Sequence, residues 1–514
     1  MKLIARPIDL EVGGKFVVVM NKLDCERLGL KSLDRVRIKH SGKSLTAIID
    51  ETEKFTIRGE IVTNVEVTEF FNLVGGEKLD ILPEKDLESV YYIRQKLAGS
   101  RLEFDKLKTI VKDVVDRKLS DIELSAFITA LYCRGLSIDE AANLSRAMVE
   151  TGKRLKFPGK IVCDKHSIGG IPGDKTSIVL VPIIAATGLI IPKTSSKAIT
   201  SAAGTAERMG VLAPVSFSVD EIYNIVEKTG ACLVWGGALD LAPADDLFIK
   251  AEYPLGIDPL LLPSIMSKKK SIGANHVIID IPTGRGAKIK TIDEARELAE
   301  DFIEMGHRLG MTICCGITFG DQPLGYYIGA GPEAKEALLT IQGKGPNDVF
   351  EKATTLAGIL LETVGRGNKD TAVKMIKSGK AEKKLREIIE AQGGNPEIKP
   401  DDIKLGEKIY QHKAERDGRV LWLKNHEVVR VARTAGSPRY ESAGIKLGVK
   451  MGDFVKKGDL LFTIYSDKYM MLEEAINLAN ELKPMVIGKK FEEKMLLGEV
   501  FETGRKIFVK RFDR

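Results

Sequence analysis

Residues 164–177, Asp-Lys-His-Ser-Ile-Gly-Gly-Ile-Pro-Gly-Asp-Lys-Thr-Ser, constrain this chain more than any other segment. An apolar run from Val179 to Ile184 follows, then the small residues Ala185-Ala186-Thr187-Gly188, the pattern of a helix entered from a loop. Gly169, Gly170 and Gly173 can adopt the φ angles that turn successive N–H groups toward one anion. Lys165, Ser167, Thr176 and Ser177 add a cation and hydroxyl donors, and a helix N-terminus adds its partial positive charge. The segment therefore reads as a phosphate cradle inside an α/β unit, against the plainer alternative of a glycine-rich turn with solvated side chains. Neither the G-x-x-x-x-G-K-[ST] spacing nor G-x-G-x-x-G is present.

A second donor-rich stretch follows at 191–205, Ile-Pro-Lys-Thr-Ser-Ser-Lys-Ala-Ile-Thr-Ser-Ala-Ala-Gly-Thr. It comes after an expected buried strand over Thr187 to Pro192, so donors again collect where a strand ends. Ligands of open α/β sheets bind there. Two such loops imply a substrate carrying more than one phosphate-like group.

With 514 residues the chain has room for several domains, each with its own core. Its net charge of +6 is dispersed, and Lys268-Lys269-Lys270 is too short a basic run for a nucleic-acid surface. No apolar stretch reaches the roughly 18 residues of a membrane span. The N-terminus lacks a signal-peptide core. The six cysteines are scattered without C-x-x-C spacing and the six histidines show no ligand spacing, so no metal site and no disulfide framework is expected. A reducing cytoplasm fits this pattern.

Four regions are expected. Residues 1–84 alternate apolar and polar positions and read as a small β-barrel domain. Residues 88–157 show helical periodicity, with a helix start at Ser120 and an apolar face at Leu124, Phe127 and Leu131; a segment near 241–272 returns to this domain. Residues 160–420 alternate short strands with amphipathic helices as a large mixed α/β domain holding the active-site cleft, and 422–505 read as a small β domain.

Two more stretches carry candidate chemistry. Asp258 lies between a glycine turn and Pro259, at an expected element boundary, and Ser264 and Lys268 are spaced to share a helix face. An aspartate before proline is also a common turn former. Asp280-Ile-Pro-Thr-Gly-Arg-Gly-Ala-Lys288 is another strand leading into a glycine loop with cations.

Lys165-His166-Ser167 with its glycines, Ile191-Pro192 through Gly204-Thr205, and Ser264 through Lys269 resemble the thymidine/pyrimidine-nucleoside phosphorylase family. Ala432-Arg-Thr-Ala-Gly436 and Lys450-Met-Gly-Asp453 resemble its terminal β domain, so the likeness covers about residues 88 to 505. Within the family, Ser167 to Thr176, Lys193 to Ser196, Ala198 to Thr205 and Trp235-Gly236-Gly237 are similar to the archaeal AMP phosphorylase branch. That branch also carries an extra N-terminal β domain, of the double-psi type. Where the pyrimidine enzymes have Arg-Asp-Val-Thr this chain has Ala251-Glu-Tyr-Pro254, so a pyrimidine nucleoside is not the expected substrate. Lys197 stands where the branch usually has arginine, which keeps the charge and loses bidentate geometry.

The resemblance implies phosphorolysis of nucleoside 5′-monophosphates (AMP first, with CMP and UMP) to the free base and ribose 1,5-bisphosphate. Inorganic phosphate is the co-substrate and no cofactor is needed. Lys165, Ser167, Ser177, Ser195 and Thr205 would hold the attacking phosphate. Gly170, Ser196, Lys197, Ala198, Ile199, Thr200, Ser201, Thr205, Ser264, Lys268 and Lys288 would line the nucleotide site. Asp258 is the expected general acid, with a pKa raised by burial. The resemblance also implies a homodimer or larger homo-oligomer, joined through the helical region's apolar face. A phosphorylase of unphosphorylated nucleosides, an anthranilate-type phosphoribosyltransferase and a non-enzymatic nucleotide sensor are the competing readings.

Overall fold

The computed structural model describes residues 1–84, 87–198, 201–239 and 241–489, together with the backbone of 498–503 and 506–511. The chain divides into two units, Met1–Lys153 with Ala242–Lys268, and Arg154–Leu241 with Lys269–Arg514.

In the first unit, strands β1 (Lys2–Pro7), β2 (Val17–Asn21), β3 (Arg35–His40), β4 (Lys43–Thr52), β5 (Glu60–Thr63) and β6 (Lys78–Pro83) close a barrel in the order β1-β5-β2-β4-β3-β6. The two-residue alternation fills its interior, as in β1, where Leu3 and Ala5 are buried between exposed neighbours. Two short helices, α1 (Lys22–Leu28) and α2 (Val65–Phe71), start from asparagine caps: Asn21 accepts from the Leu23 N–H and Asn64 from the Val67 N–H.

Helices α3 (Glu88–Leu97), α4 (Phe104–Val115), α5 (Asp121–Arg134) and α6 (Ile138–Glu150) form a bundle. Capping boxes Ser120/Glu123 and Ser137/Glu140 start α5 and α6. Phe127 and Leu131 are fully buried in the bundle's own core, and the Phe127 ring lies 5.9 Å from that of Phe248. Of the three residues expected on the apolar contact face, Phe127 and Leu131 are thus buried within this chain and Leu124 is half-buried.

The second unit opens with β7 (Cys163–Ser167), α7 (Thr176–Ala186), β8 (Ile191–Ser195), α8 (Thr205–Gly210), α9 (Val219–Thr229) and β9 (Ala231–Trp235). Helix α10 (Pro243–Leu255) and most of α11 (Leu261–Ser271) belong to the first unit. The chain then supplies β10 (His276–Thr283), α12 (Ile292–Leu309), β11 (Thr312–Phe319), β12 (Tyr327–Ile328), α13 (Ala330–Ile341), α14 (Asn347–Thr363), α15 (Lys369–Lys377) and α16 (Lys380–Ala391). Parallel strands β11-β10-β7 and β8-β9 are joined by one parallel bridge, Val162 to Ile190. Every residue of α7 from Thr176 to Ala185 is buried, as a helix apolar on all sides requires.

The strand expected over Thr187–Pro192 sits later, at Ile191–Ser195. Thr187 caps α7 and Gly188 (φ +86°) turns the chain, so the extended run begins only after them. Lys193 and Thr194 consequently occupy a covered parallel strand and are buried rather than presented by a loop.

The C-terminal part contains β13 (Lys408–Lys413), β14 (Gly418–Leu423), α17 (Asn425–Thr434), β15 (Gly444–Leu447), β16 (Phe454–Val455), β17 (Leu460–Ser466), α18 (Tyr469–Leu482), β18 (Met485–Gly488), β19 (Gly498–Thr503) and β20 (Lys506–Arg511). Antiparallel sheets β12-β15-β17-β13 and β16-β14-β18 share a core with α17 and α18, two helices that the β reading of this stretch passed over. Among the described residues, no helix is long and apolar enough to cross a membrane.

Candidate active site

The cradle is the loop between β7, ending at Ser167, and α7, beginning at Thr176. Gly169, Gly170 and Gly173 have φ of +80°, +96° and +79°. A Cβ at Gly173 would stand 2.3 Å from the Leu324 carbonyl oxygen, and one at Gly170 2.6 Å from the Lys288 backbone nitrogen. Glycine is therefore required twice over, by backbone conformation and by contact. Strand pairing explains the meeting of Gly170 with Lys288. Strands β7 and β10 run parallel with Ser167 opposite Asp280, so the loops leaving them emerge side by side.

Beneath the loop lies a closed set of charges. The Lys165 ammonium sits 3.6 Å from Asp174 and 3.8 Å from Asp280, and Lys352 of α14 lies 2.8 Å from Asp280 and 4.0 Å from Asp174. Thr318 donates to Asp280 at 2.7 Å. Burial alone would raise the Asp174 pKa, but the charges of Lys165 and Lys352 outweigh it and hold the carboxyl well below the ordinary range. Burial alone would lower the Lys352 pKa, but the charges of Asp174 and Asp280 outweigh it and raise it. Two cations facing two anions leave the floor of the cradle close to neutral. Lys165 is thus held in place beneath directional donors, the loop N–H groups with the Ser167 and Ser177 hydroxyls, the latter buried in the first turn of α7.

A second buried group lies alongside. Asp164 pairs with Lys269 at 2.6 Å and Lys193 at 3.9 Å, and accepts the Lys165 N–H at 2.7 Å. Burial, with Lys269 beside it, drives the Lys193 pKa well below that of a free lysine.

The second loop leaves β8 at Ser195. The Glu207 carboxylate accepts the N–H groups of Ala198 (2.9 and 3.0 Å) and Gly204 (2.8 Å), tying both ends of the loop to α8. Gly204 has no room for a side chain, with the Ser196 carbonyl oxygen 2.7 Å from where a Cβ would be. Lys197 is exposed and places its ammonium 4.0 Å from the centroid of a Trp235 ring, a cation–π contact. Ser195 Oγ donates to the Val234 carbonyl at 3.4 Å, and Ser201 Oγ to that of Ala203 at 3.1 Å. Thr205 is the first residue of α8. Ile199 and Thr200 lie outside the described residues.

Arg208 joins the two loops. Its guanidinium donates to the carbonyl oxygens of Asp174 and Ala203, each at 2.7 Å, and pairs with Glu333.

The remaining candidates lie in the first unit. Asp258 occupies the turn between α10 and α11 and is exposed, so burial does not act on it as the sequence reading required. The carboxyl that burial does raise is Glu252, pushed up to about 7 by burial and by Asp258 beside it. Ser264 and Lys268 are on α11, one turn apart as their spacing requires; Lys268 pairs with buried Asp245, which raises its pKa despite its own desolvation.

Residues 90–152 match the glycosyl transferase family helical bundle domain, 159–382 that family's α/β domain, and 423–484 the pyrimidine nucleoside phosphorylase C-terminal domain. The AMP phosphorylase of Thermofilum pendens is 44% identical over 99% of this chain and all of its own length. That of Thermococcus kodakarensis is 49% identical over 95% of this chain and 98% of its own. The chain belongs to the AMP phosphorylase family. A solved anthranilate phosphoribosyltransferase from Thermus thermophilus is 18% identical, with a TM-score of 0.48, over 59% of this chain and 99% of that one.

In this AMP phosphorylase family chain the second unit carries Lys165, Ser167, Gly170, Ser177, Ser195 to Ala198, Ser201, Thr205 and Lys288, with Gly170 against Lys288, while Asp258, Ser264 and Lys268 are carried by the first unit. Sequence reading missed Lys352, Arg208, Glu207 and Glu252. Lys352 stands inside a long amphipathic helix with no local mark, and only the packing of α14 under the cradle gives it a role. Glu207 alone left a signal: it follows Gly204 by three, the spacing of a capping box.

Proposed function

We propose that this protein catalyses phosphorolysis of AMP, and also of CMP and UMP, to the free base and ribose 1,5-bisphosphate. The observation that carries this reading is Arg208, which bonds the Asp174 and Ala203 carbonyl oxygens and so joins the two donor-rich loops. Family membership at 44% and 49% identity over nearly the whole chain supports AMP as the substrate.

In this reading Lys165, Ser167, Ser177, Ser195 and Thr205 hold inorganic phosphate as it attacks C1′. Gly170, Ser196 to Ser201, Thr205, Ser264, Lys268 and Lys288 receive the nucleotide. Phosphate oxygen bonds to C1′ while the C1′–N bond breaks, its electron pair passing to the base. Asp258 gives the departing base a proton and regains one from solvent, a contribution of typically ~10²–10⁴-fold. Phosphate is a co-substrate and no cofactor takes part. We read the protein as a cytoplasmic homodimer or larger homo-oligomer, and its N-terminal barrel as the double-psi type. The parallel pairs β1–β5 and β2–β4 within an otherwise antiparallel barrel support the latter.

The test is phosphate-dependent base release across AMP, CMP, UMP and their nucleosides. AMP turnover that requires phosphate and yields a bisphosphorylated ribose is the expected result. Adenosine turned over as fast as AMP would refute recognition of the 5′-phosphate.

A further inference from the structure

Lys175 belongs to the cradle segment, yet its fully buried ammonium is engaged by a different stretch of chain. It donates to the carbonyl oxygens of Leu324 and Tyr327, each at 3.1 Å, and pairs with Glu336 of α13. The Glu336 carboxylate in turn accepts the Tyr326 N–H at 3.0 Å and the Tyr327 N–H at 3.3 Å. One buried ion pair thus gathers both donors and acceptors of residues 323–328. Gly325, with φ +66°, bends this segment around the pair; a Cβ there would stand 2.7 Å from the Lys175 ammonium. The segment also meets the cradle directly, the Leu324 N–H donating to the Pro172 carbonyl oxygen at 3.0 Å.

The C-terminal domain holds the same segment. Lys450 donates to the Pro323 carbonyl oxygen at 2.7 Å and pairs at 3.0 Å with Asp348, which accepts the Gly325 N–H at 2.9 Å. Strand β12, the end of the segment, pairs antiparallel with β15 of that domain. Lys450 opens the Lys450-Met-Gly-Asp453 motif, which phosphorolysis itself leaves without a role.

We propose that residues 323–328 are a strap through which the C-terminal domain positions the phosphate cradle, with Lys175 and Lys450 as its positioning residues. This rests on the cradle being the site of the attacking phosphate. An ammonium group has three donors, and those of Lys175 are met by two carbonyl oxygens and a carboxylate. Lys175 therefore acts through the loop and not on the ligand. The loop needs such a hold. Gly169, Gly170 and Gly173 give it the conformations an N–H array requires, but the same freedom leaves the array costly to order. Donors aimed at an anion stabilise it most when the fold has fixed them beforehand.

The test is steady-state kinetics of the full chain, with phosphate and AMP varied separately, for Lys175→Met, Glu336→Gln and Lys450→Met. Each variant is expected to raise the KM for phosphate by roughly threefold or more, about the effect of one lost hydrogen bond, and to change the KM for AMP less. Glu336→Gln distinguishes position from charge. Removing a negative charge near the cradle would by itself tighten phosphate binding, whereas loosening the strap weakens it. A phosphate KM that falls or stays at the wild-type value in Glu336→Gln overturns the proposal. If the two buried variants do not fold, Lys450→Met carries the test, because Lys450 is only half-buried. There an unchanged phosphate KM, or equal rises for phosphate and AMP, overturns the proposal. Lys165→Ala separates the strap from the reading beneath it. A wild-type phosphate KM in Lys165→Ala removes phosphate from the cradle; a raised one, with Lys450→Met unchanged, removes only the strap.

Discussion

Arg208 donates one guanidinium N–H to the Asp174 carbonyl oxygen and another to that of Ala203, each at 2.7 Å, so a single side chain spans the two glycine-bearing loops. Its charge is met by buried Glu333 rather than by the cradle. Burial raises the Glu333 pKa even so, with Arg208 and Lys175 opposing. The positions of the loop donors thus depend on a cation that need not touch a ligand.

Removing that brace should cost both stability and function. Arg208→Met leaves Glu333 buried without its partner, a loss of about 3–5 kcal/mol. Thermal melting should show a marked drop, and the KM values for phosphate and for AMP should rise together because both loops are released. An unchanged melting temperature would show that the pair is not structurally important.

Lys165→Ala should raise the KM for inorganic phosphate by roughly tenfold or more, the loss of a charge-assisted contact of about 1.4 kcal/mol or greater. AMP binding, measured calorimetrically without phosphate, should change far less. A wild-type phosphate KM would place another ligand on this loop.

Gly170→Ala tests the meeting of two loops. Its φ of +96° and the Lys288 nitrogen 2.6 Å from a new Cβ both oppose the substitution. Strain of about 1–3 kcal/mol is expected. Displacing Lys288 should raise the KM for AMP more than that for phosphate in steady-state assays that vary each substrate.

Asp174 gives the fold a defined acid sensitivity. Its folded pKa is depressed by Lys165 and Lys352 against the effect of burial, so its contribution to stability is present above the unfolded value of about 3.9. That contribution is lost as pH falls through the lower folded value. Urea unfolding midpoints should therefore decline below about pH 4, and Asp174→Asn, though less stable at pH 7, should lose less over the same interval. Parallel curves for the two proteins would contradict the pairing.

Asp258→Asn keeps the shape of the turn and removes the proton. On the proposed mechanism kcat falls by about two or more orders of magnitude while AMP still binds, as for an interaction made mainly in the transition state. A variant that melts earlier yet turns over AMP near the wild-type rate would make Asp258 a turn former only.

Local sequence carried several features that depend on chain-local physics, though it passed over helices α17 and α18 and set one strand too early. The glycine positions of the cradle followed from φ preferences, the start of α5 from the Ser120/Glu123 capping pattern, the barrel strands from two-residue alternation, and the Ser264–Lys268 face from helical spacing. Burial and charge pairing belong to the tertiary structure, because they depend on what distant segments place against a residue. Sequence spacing could not show that Lys193 and Thr194 would be enclosed in β8, that Phe127 would pack against Phe248, or that Lys352, 187 positions after Lys165, would share its aspartates. The carboxyl near Asp258 that burial tunes was settled the same way: neighbours six residues apart in sequence, Glu252 and Asp258 differ because the end of α10 turns one inward and leaves the other in water.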